Sequence, residues 1–177
     1  AAALQGFIGN STRGTLVANK RVSITFDVEL AGSGVAGTPP AFGPLLKAAG
    51  LSETVVSVTS VTYAGVSSSF SSATLYCFYD GTRHKITGAR GTVSFNMAAG
   101  QFAVASFQFI GIYNAPDNTA LSGTFTLTNQ APAIEVNDTN VTTATFHGVS
   151  ASRIESFDLA LNNELLYKET ASSQEVL

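Results

Sequence analysis

From position 22 to position 30 the chain alternates without a break. Val22, Ile24, Phe26, Val28 and Leu30 are apolar, and Ser23, Thr25, Asp27 and Glu29 are polar. A two-residue period places all five apolar side chains on one face, which predicts a half-buried strand of an antiparallel sheet. The period then changes. Phe42, Leu45, Leu46 and Ala49 fall at i, i+3, i+4 and i+7, one apolar face of a helix over 41–49. Pro39, Pro40 and Pro44 crowd its start, where missing N–H groups cost least, and Gly50 suits its C-terminal cap. From Thr54 onward β-branched and aromatic residues dominate, and TVVSVTSVTYAGV and ATLYCFYD read as strand. Asp80-Gly81 predicts a hairpin turn into RHKIT. Gly88-Ala89-Arg90-Gly91 predicts a tight kink or a β-bulge before GTVSFNM, with its alternating Val93, Phe95 and Met97. Ala98-Ala99-Gly100 turns into QFAVASFQFIGIY, a long strand with Phe102, Val104 and Ile110 on one face and Phe107 and Phe109 on the other. Two apolar faces mark it as central. Residues 114–133 read as a long connection with a strand-like FTLT in its middle. AIEV, VTTATFH and RIESFDLALN read as further strands, and ELLYK is ambiguous. The sum is about ten strands and one helix: a mainly β fold, an antiparallel sandwich or barrel with one packed helix, in a single domain over 1–177.

Composition changes this picture in one respect. A chain of 177 residues buries roughly 70% of its unfolded surface and needs no disulfide or metal to fold. With 45% hydrophobic and only 12% charged residues, either Ser, Thr, Asn and Gly cover the surface or part of it is buried in an assembly. The net charge of −3 and the scattered nine Lys and Arg argue against a basic nucleic-acid-binding surface. Cys77 is the only cysteine, so no intrachain disulfide forms; in LYCFYD it is expected to be a buried small hydrophobe, compatible with a reducing compartment. No apolar run approaches the ~18 residues of a membrane-spanning helix. The AAALQG start lacks an initiator Met and a signal peptide, and with the EVL end it is expected to mark a fragment or processed product lacking terminal segments of its parent.

Candidate chemistry is thin. Gly32-Ser33-Gly34-Val35-Ala36-Gly37 spells G-x-G-x-x-G. A dinucleotide fingerprint needs a buried parallel strand before it and a helix starting at the pyrophosphate. Here the strand is one-faced, Thr38-Pro39-Pro40 delays the helix, and no second helix-bearing unit follows, so the stretch reads as a loop of small residues. His84 and His147 have no clustered Cys, Asp or Glu in sequence, and no metal site is expected. Gly9-Asn10-Ser11-Thr12-Arg13 misses the last glycine of a nucleophile elbow. Asp27 with Glu29, and Glu155 with Asp158, occupy surface-facing positions, solvated or facing another subunit. Asn10-Ser11-Thr12 and Asn140-Val141-Thr142 match glycosylation sequons, which carry no weight without a secretory signal. No catalytic, cofactor-binding or metal residue is assigned.

The order of VSITFDVELAGSG, TPPAFGPLLKAAGL, VTYAGVSSSFSSATLYCFYDGTRHKITGARGTVSF and FQFIGIYNAPDNTAL resembles the tail tube protein of long-tailed bacteriophages and prophages. The similarity runs from about Gly6 to the C-terminus. Its most telling pieces are AFGPLLKAAGL and TGARGTVSF followed by GIYNAP. The resemblance implies a structural virion protein without enzymatic activity. It implies hexameric rings that stack into a hollow tube, with the sheets of neighbouring subunits lining a channel for genome ejection. Its implied partners are copies of itself, a tape measure protein, a tail terminator protein and passing DNA that does not stick, with no membrane. It would be assembled in the host cytoplasm and reside in the virion tail. Mild acidity fits a lumen that repels phosphates, and open strand edges fit pairing between subunits.

Three loops are expected to mediate assembly, at least one of them ordering only against a neighbouring ring: 31–38, 66–72 and 114–133. The candidate residues are Gly32, Gly34, Gly37, Val66, Phe70, Arg90, Asn114 and Asp117. Arg90 reads either as a subunit contact or as a solvent-exposed turn arginine. The competing reading is a β-sandwich adhesin or carbohydrate-binding module. It requires Tyr63, Tyr76, Tyr79 and Tyr113 on one flat surface, and the lack of Trp and the core-facing Phe positions count against it.

Overall fold

The computed structural model describes residues 20–121, 130–143, 145–150 and 153–177. Its elements are β1 (Arg21–Glu29), α1 (Gly43–Ala48), β2 (Leu51–Val56), β3 (Ser60–Gly65), β4 (Ala73–Tyr79), β5 (Thr82–Ala98) and β6 (Val104–Tyr113), followed by β7 (Thr145–Phe146), β8 (Val149–Ser150), β9 (Ser156–Ala160), β10 (Tyr167–Glu169) and β11 (Gln174–Val176). The protein is mainly β, built on a curled half-barrel sheet with one short helix. That sheet has the order β1-β6-β5-β4, and β9 pairs with the far half of β5. Every pairing in it is antiparallel.

The alternation of the 22–30 stretch is realised residue by residue: each even position of β1 is half-buried and each odd one exposed. Register sets Phe26 opposite Phe107 and Ile24 opposite Phe109. Phe26, Phe107 and Phe109 stack with ring centres 5.8–6.0 Å apart. β6 is central, between β1 and β5, although Ser106 and Gln108 make its outer face mixed rather than apolar. Asp80 (φ 47°) and Gly81 (φ 74°) make the tight β4–β5 turn, the left-handed pair that a two-residue hairpin demands.

A bulge lies at the predicted kink. Thr87 pairs with Ile112 but Arg90 pairs with Ile110, so β5 carries one extra residue, with Gly88 at φ 58°. A one-residue slip exchanges the faces of a strand. The slip is what lets Ile86 share the buried face with Ala89, Gly91 and Val93, although their numbers differ in parity. Two glycines admit the close packing there. A Cβ on Gly91 would sit 2.6 Å from the Gln108 carbonyl oxygen, and one on Gly111 would strike the Ile86 side chain.

The helix packs on this core through Leu46, Ala48 and Ala49. It is shorter than the predicted 41–49, starting after Pro39-Pro40 with Pro44 in its first turn. Gly50 (φ 87°) closes it, donating to the Lys47 carbonyl at 3.1 Å. The strand-like TVVSVTSVTYAGV forms two strands: β2 and β3 make a hairpin reversing at Ser57-Val58-Thr59, with Val58 at φ 58°. No glycine or asparagine announces that turn. The 31–38 loop braces it, because Gly37 lacks the Cβ that would strike the Val58 amide nitrogen. Three other expectations are corrected. AIEV contributes a single bridge, Phe102 to Glu135, rather than a strand. In VTTATFH only Thr145–Phe146 is strand among the described residues, while FTLT lies outside them. Cys77 is half-buried rather than buried, because β4 is an edge strand. The ambiguous ELLYK supplies the start of β10, which pairs with β11.

Candidate assembly surface

The sheet ends in open edges. Among the described residues β1 pairs only with β6, while β4 and β9 pair only with β5. Antiparallel pairing throughout makes β1 and β5 run one way and β4, β6 and β9 the other. A second sheet of the same orientation, laid with its β4 or β9 against β1, would therefore continue the antiparallel ladder. Open edges of this length are templates for pairing.

The face opposite the aromatic core has an ordered chemistry. Register places Thr25, Gln108 and Thr92 in one row across β1, β6 and β5. The next row is Asp27, Ser106, Ser94 and Ala160, and the next Glu29, Val104, Asn96 and Asp158. In the other direction Arg90 shares a row with Ser23 and Ile110. The face is thus hydroxyl- and amide-rich in the middle and acidic at the Glu29 end. Asp27, Glu29, Glu155 and Asp158 are all exposed, as their positions predicted.

The eight sequence-predicted assembly residues are scattered, and most hold contacts within the chain. Gly32 accepts from the Ala131 amide at 2.8 Å, and Gly34 (φ 78°) lies beside the Ala131 side chain. The Ser33 hydroxyl donates to the Val35 and Thr38 carbonyls at 2.9 and 2.8 Å, so the 31–38 loop folds on itself. That loop cradles no phosphate: the strand before it is antiparallel and α1 starts only at Gly43. Val66 donates its amide to Gly50 at 3.2 Å, and residues 67–72 are exposed. Arg90 and Phe70 are brought together, with the guanidinium carbon 6.0 Å from the ring centre over a small cavity of about 190 Å³. Arg90 is half-buried, not an exposed turn arginine. The Asn114 amide donates to Thr87 Oγ1 at 3.0 Å and to the Ile112 and Lys85 carbonyls, pinning the end of β6 beside the bulge.

Asp117 ties the following loop to β5. It exchanges two backbone hydrogen bonds with Arg83, and its carboxylate accepts from Arg83 Nη2 at 2.6 Å and from the Thr119 amide at 3.0 Å. The Arg83 hydrogen bond, helped by Thr119, holds the carboxyl well below the usual value of 3.8. The unfolded chain therefore takes up this proton at a higher pH than the folded one. The stabilisation is complete above about pH 5 and is lost as pH falls through the native pKa in strong acid. In urea denaturation the gap between wild type and Asp117→Asn should stay constant down to about pH 5 and narrow below it. A gap that does not narrow in acid would assign the stabilisation to something other than this carboxylate.

Two connections carried no sequence signal. The Asn163 side chain donates to the Ala49 carbonyl at 2.7 Å and the Gly91 carbonyl at 3.2 Å, joining the helix end to β5. Glu53 accepts from the Tyr63 hydroxyl at 2.7 Å and from Lys47 Nζ at 3.1 Å, joining the hairpin to the helix. The Tyr63 hydrogen bond and the Lys47 contacts lower the Glu53 pKa against a smaller opposing effect of burial, while burial and Glu53 raise that of Tyr63.

Among the described residues neither a metal-ligand cluster nor a shared tyrosine platform forms on this surface. Among the described residues no group of three or more His, Cys, Asp and Glu is placed to hold a metal ion. Among the described residues no helix is long and apolar enough to cross a membrane. The four tyrosines do not share a platform: Tyr63 belongs to the β2–β3 hairpin, Tyr113 pairs with Ile86 on the core side, and Tyr76 alternates with the core-side Leu75 onto the opposite face. Comparison with curated proteins and with solved structures returns no match. A family model described as phage tail tube protein matches residues 8–175. That match takes in every strand described above except the last residue of β11, and the chain belongs to the phage tail tube family, as a structural protein of the phage tail.

Proposed function

We propose that this chain is the ring-forming subunit of the tail tube. Copies join head to tail, the β1 edge of one beside the β4 or β9 edge of the next, into rings of six that stack around a channel for genome ejection. The observation that carries this reading is the pair of open, oppositely directed edges on one curled sheet. A curled sheet continued from copy to copy turns back on itself and closes, which removes its edges. The hydroxyl-rich, acid-ended face then lines the channel. Uncharged and acidic groups give phosphates no counter-ion, so DNA passes without binding. The tape measure protein occupies the channel during assembly in the host cytoplasm, and a terminator protein caps the finished tube.

Negative-stain electron microscopy of the concentrated chain tests this directly. Rings or tubes with a central hole are the expected result. Monodisperse monomers at every concentration and salt would overturn it, and a glycan screen would then address the binding-module reading.

A further inference from the structure

We propose that the tip of the β2–β3 hairpin is a knob that docks into an apolar cleft beside β9 on a second copy of this chain. The inference rests on the tube reading above and adds a contact separate from the sheet edges.

The knob is unusual for a surface feature. Residues 54–60 are all exposed, and Val58 at their turn is 82% exposed. Val55 and Val56 are also exposed, and no charged residue occurs from Thr54 through Thr62. A protruding uncharged hairpin of β-branched residues is an aggregation hazard unless something covers it. It is also held rigidly. Val58 takes a left-handed conformation that β-branched residues seldom adopt, and Gly37 lies so close that a Cβ on it would strike both the Val58 amide nitrogen and the Val56 carbonyl oxygen. Strain of this kind persists where the surroundings over-determine it, and it concentrates at functional sites.

The socket lies between the end of β5, the 136–141 segment and the start of β9. It encloses about 680 Å³ and is walled by Met97, Val136, Val141, Ile154 and Phe157. That volume admits several aliphatic side chains. Its walls are pre-formed: Gly100 donates to the Val136 carbonyl at 2.8 Å, Val136 to Gln101 at 2.9 Å, and Ala99 to Glu155 at 2.9 Å. Asp138, Arg153 and Glu155 ring it with charge, which suits the seating of an uncharged plug. A second copy is the occupant the chemistry selects. The chain has a protruding apolar tip and a complementary apolar recess on different elements. Such a heterologous contact repeats without limit and builds a polymer, as a tail tube requires.

Cysteine pairing tests the docking, in a Cys77→Ser background that leaves no other thiol. Copies carrying Val58→Cys are mixed with copies carrying Ile154→Cys and treated with a short bismaleimide. The control pair replaces Val58→Cys with Tyr79→Cys, at an equally exposed turn. The expected result is a cross-linked dimer at least about tenfold more abundant than in the control, lost when Val56 in the knob copy is changed to Asp. Cross-linking no greater than the control overturns the docking, whether or not tubes are seen in the microscope. Cross-linking without tubes supports the docking and counts against the tube reading, so the two fail separately.

Discussion

Changing Phe107 to alanine should lower the unfolding free energy by about 3–5 kcal/mol. Phe107 is 0% exposed at the centre of the central strand, opposite Phe26 on one side and Val93 on the other. Its ring stacks against both Phe26 and Phe109. Strands β1, β5 and β6 hold the surrounding backbone in hydrogen-bonded register, so the site cannot collapse to fill the vacancy, and the cost belongs at the upper end of the range. A domain of ordinary stability has about 5–15 kcal/mol in total, so the variant should be close to unfolding at modest denaturant. The comparison is Phe102→Ala, just before the same strand, where the side chain is 50% exposed and the cost should stay within about 1 kcal/mol. Urea titrations of both variants, with unchanged m-values, measure the difference. Equal costs would mean that the aromatic stack is not the centre of the core.

The second large effect concerns the channel. Thr25→Lys, Asp27→Lys and Gln108→Lys change exposed positions in two adjacent cross-strand rows on the face opposite the core. None of the three side chains is fully buried, so the subunit should fold and assemble as before. The resulting tubes should retain double-stranded DNA that wild-type tubes release. Each lysine that meets a phosphate should steepen the dependence of log K on log salt by about 0.9. Phage carrying the triple variant should then eject their genomes slowly and infect poorly. Intact tubes that hold DNA no better than wild type would show that this face does not line the channel.

Much of the fold could be read along the chain wherever a local rule decides the structure. The alternation at 22–30, the Asp80-Gly81 turn and the Gly88 bulge each follow from a period or a left-handed backbone position visible in a few residues. The reversal at Val58 was hidden because its cause lies elsewhere, in a glycine of the 31–38 loop packed against it. AIEV has the right residues for a strand, but among the described residues it meets only the 100–102 turn, through a single bridge and two backbone hydrogen bonds. Assembly residues are expected in loops because loops stand out by composition. Loop positions such as Gly32 and Asp117 also hold contacts within this subunit. The features that suit assembly, two open edges and a polar sheet face, arise from strand order, which no single stretch of sequence states.

The strand order also sets a timetable. β4, β5 and β6 follow one another with short turns and can pair as soon as they leave the ribosome, whereas β1 waits for β6, since Arg21 pairs with Ile112. Contacts between such distant positions form late and slowly. The strand that offers its outer edge to a neighbour is therefore the last of the first four to dock. A half-made chain displays the β4 edge without the β1 edge that is to receive it, and head-to-tail joining is deferred until β1 has docked.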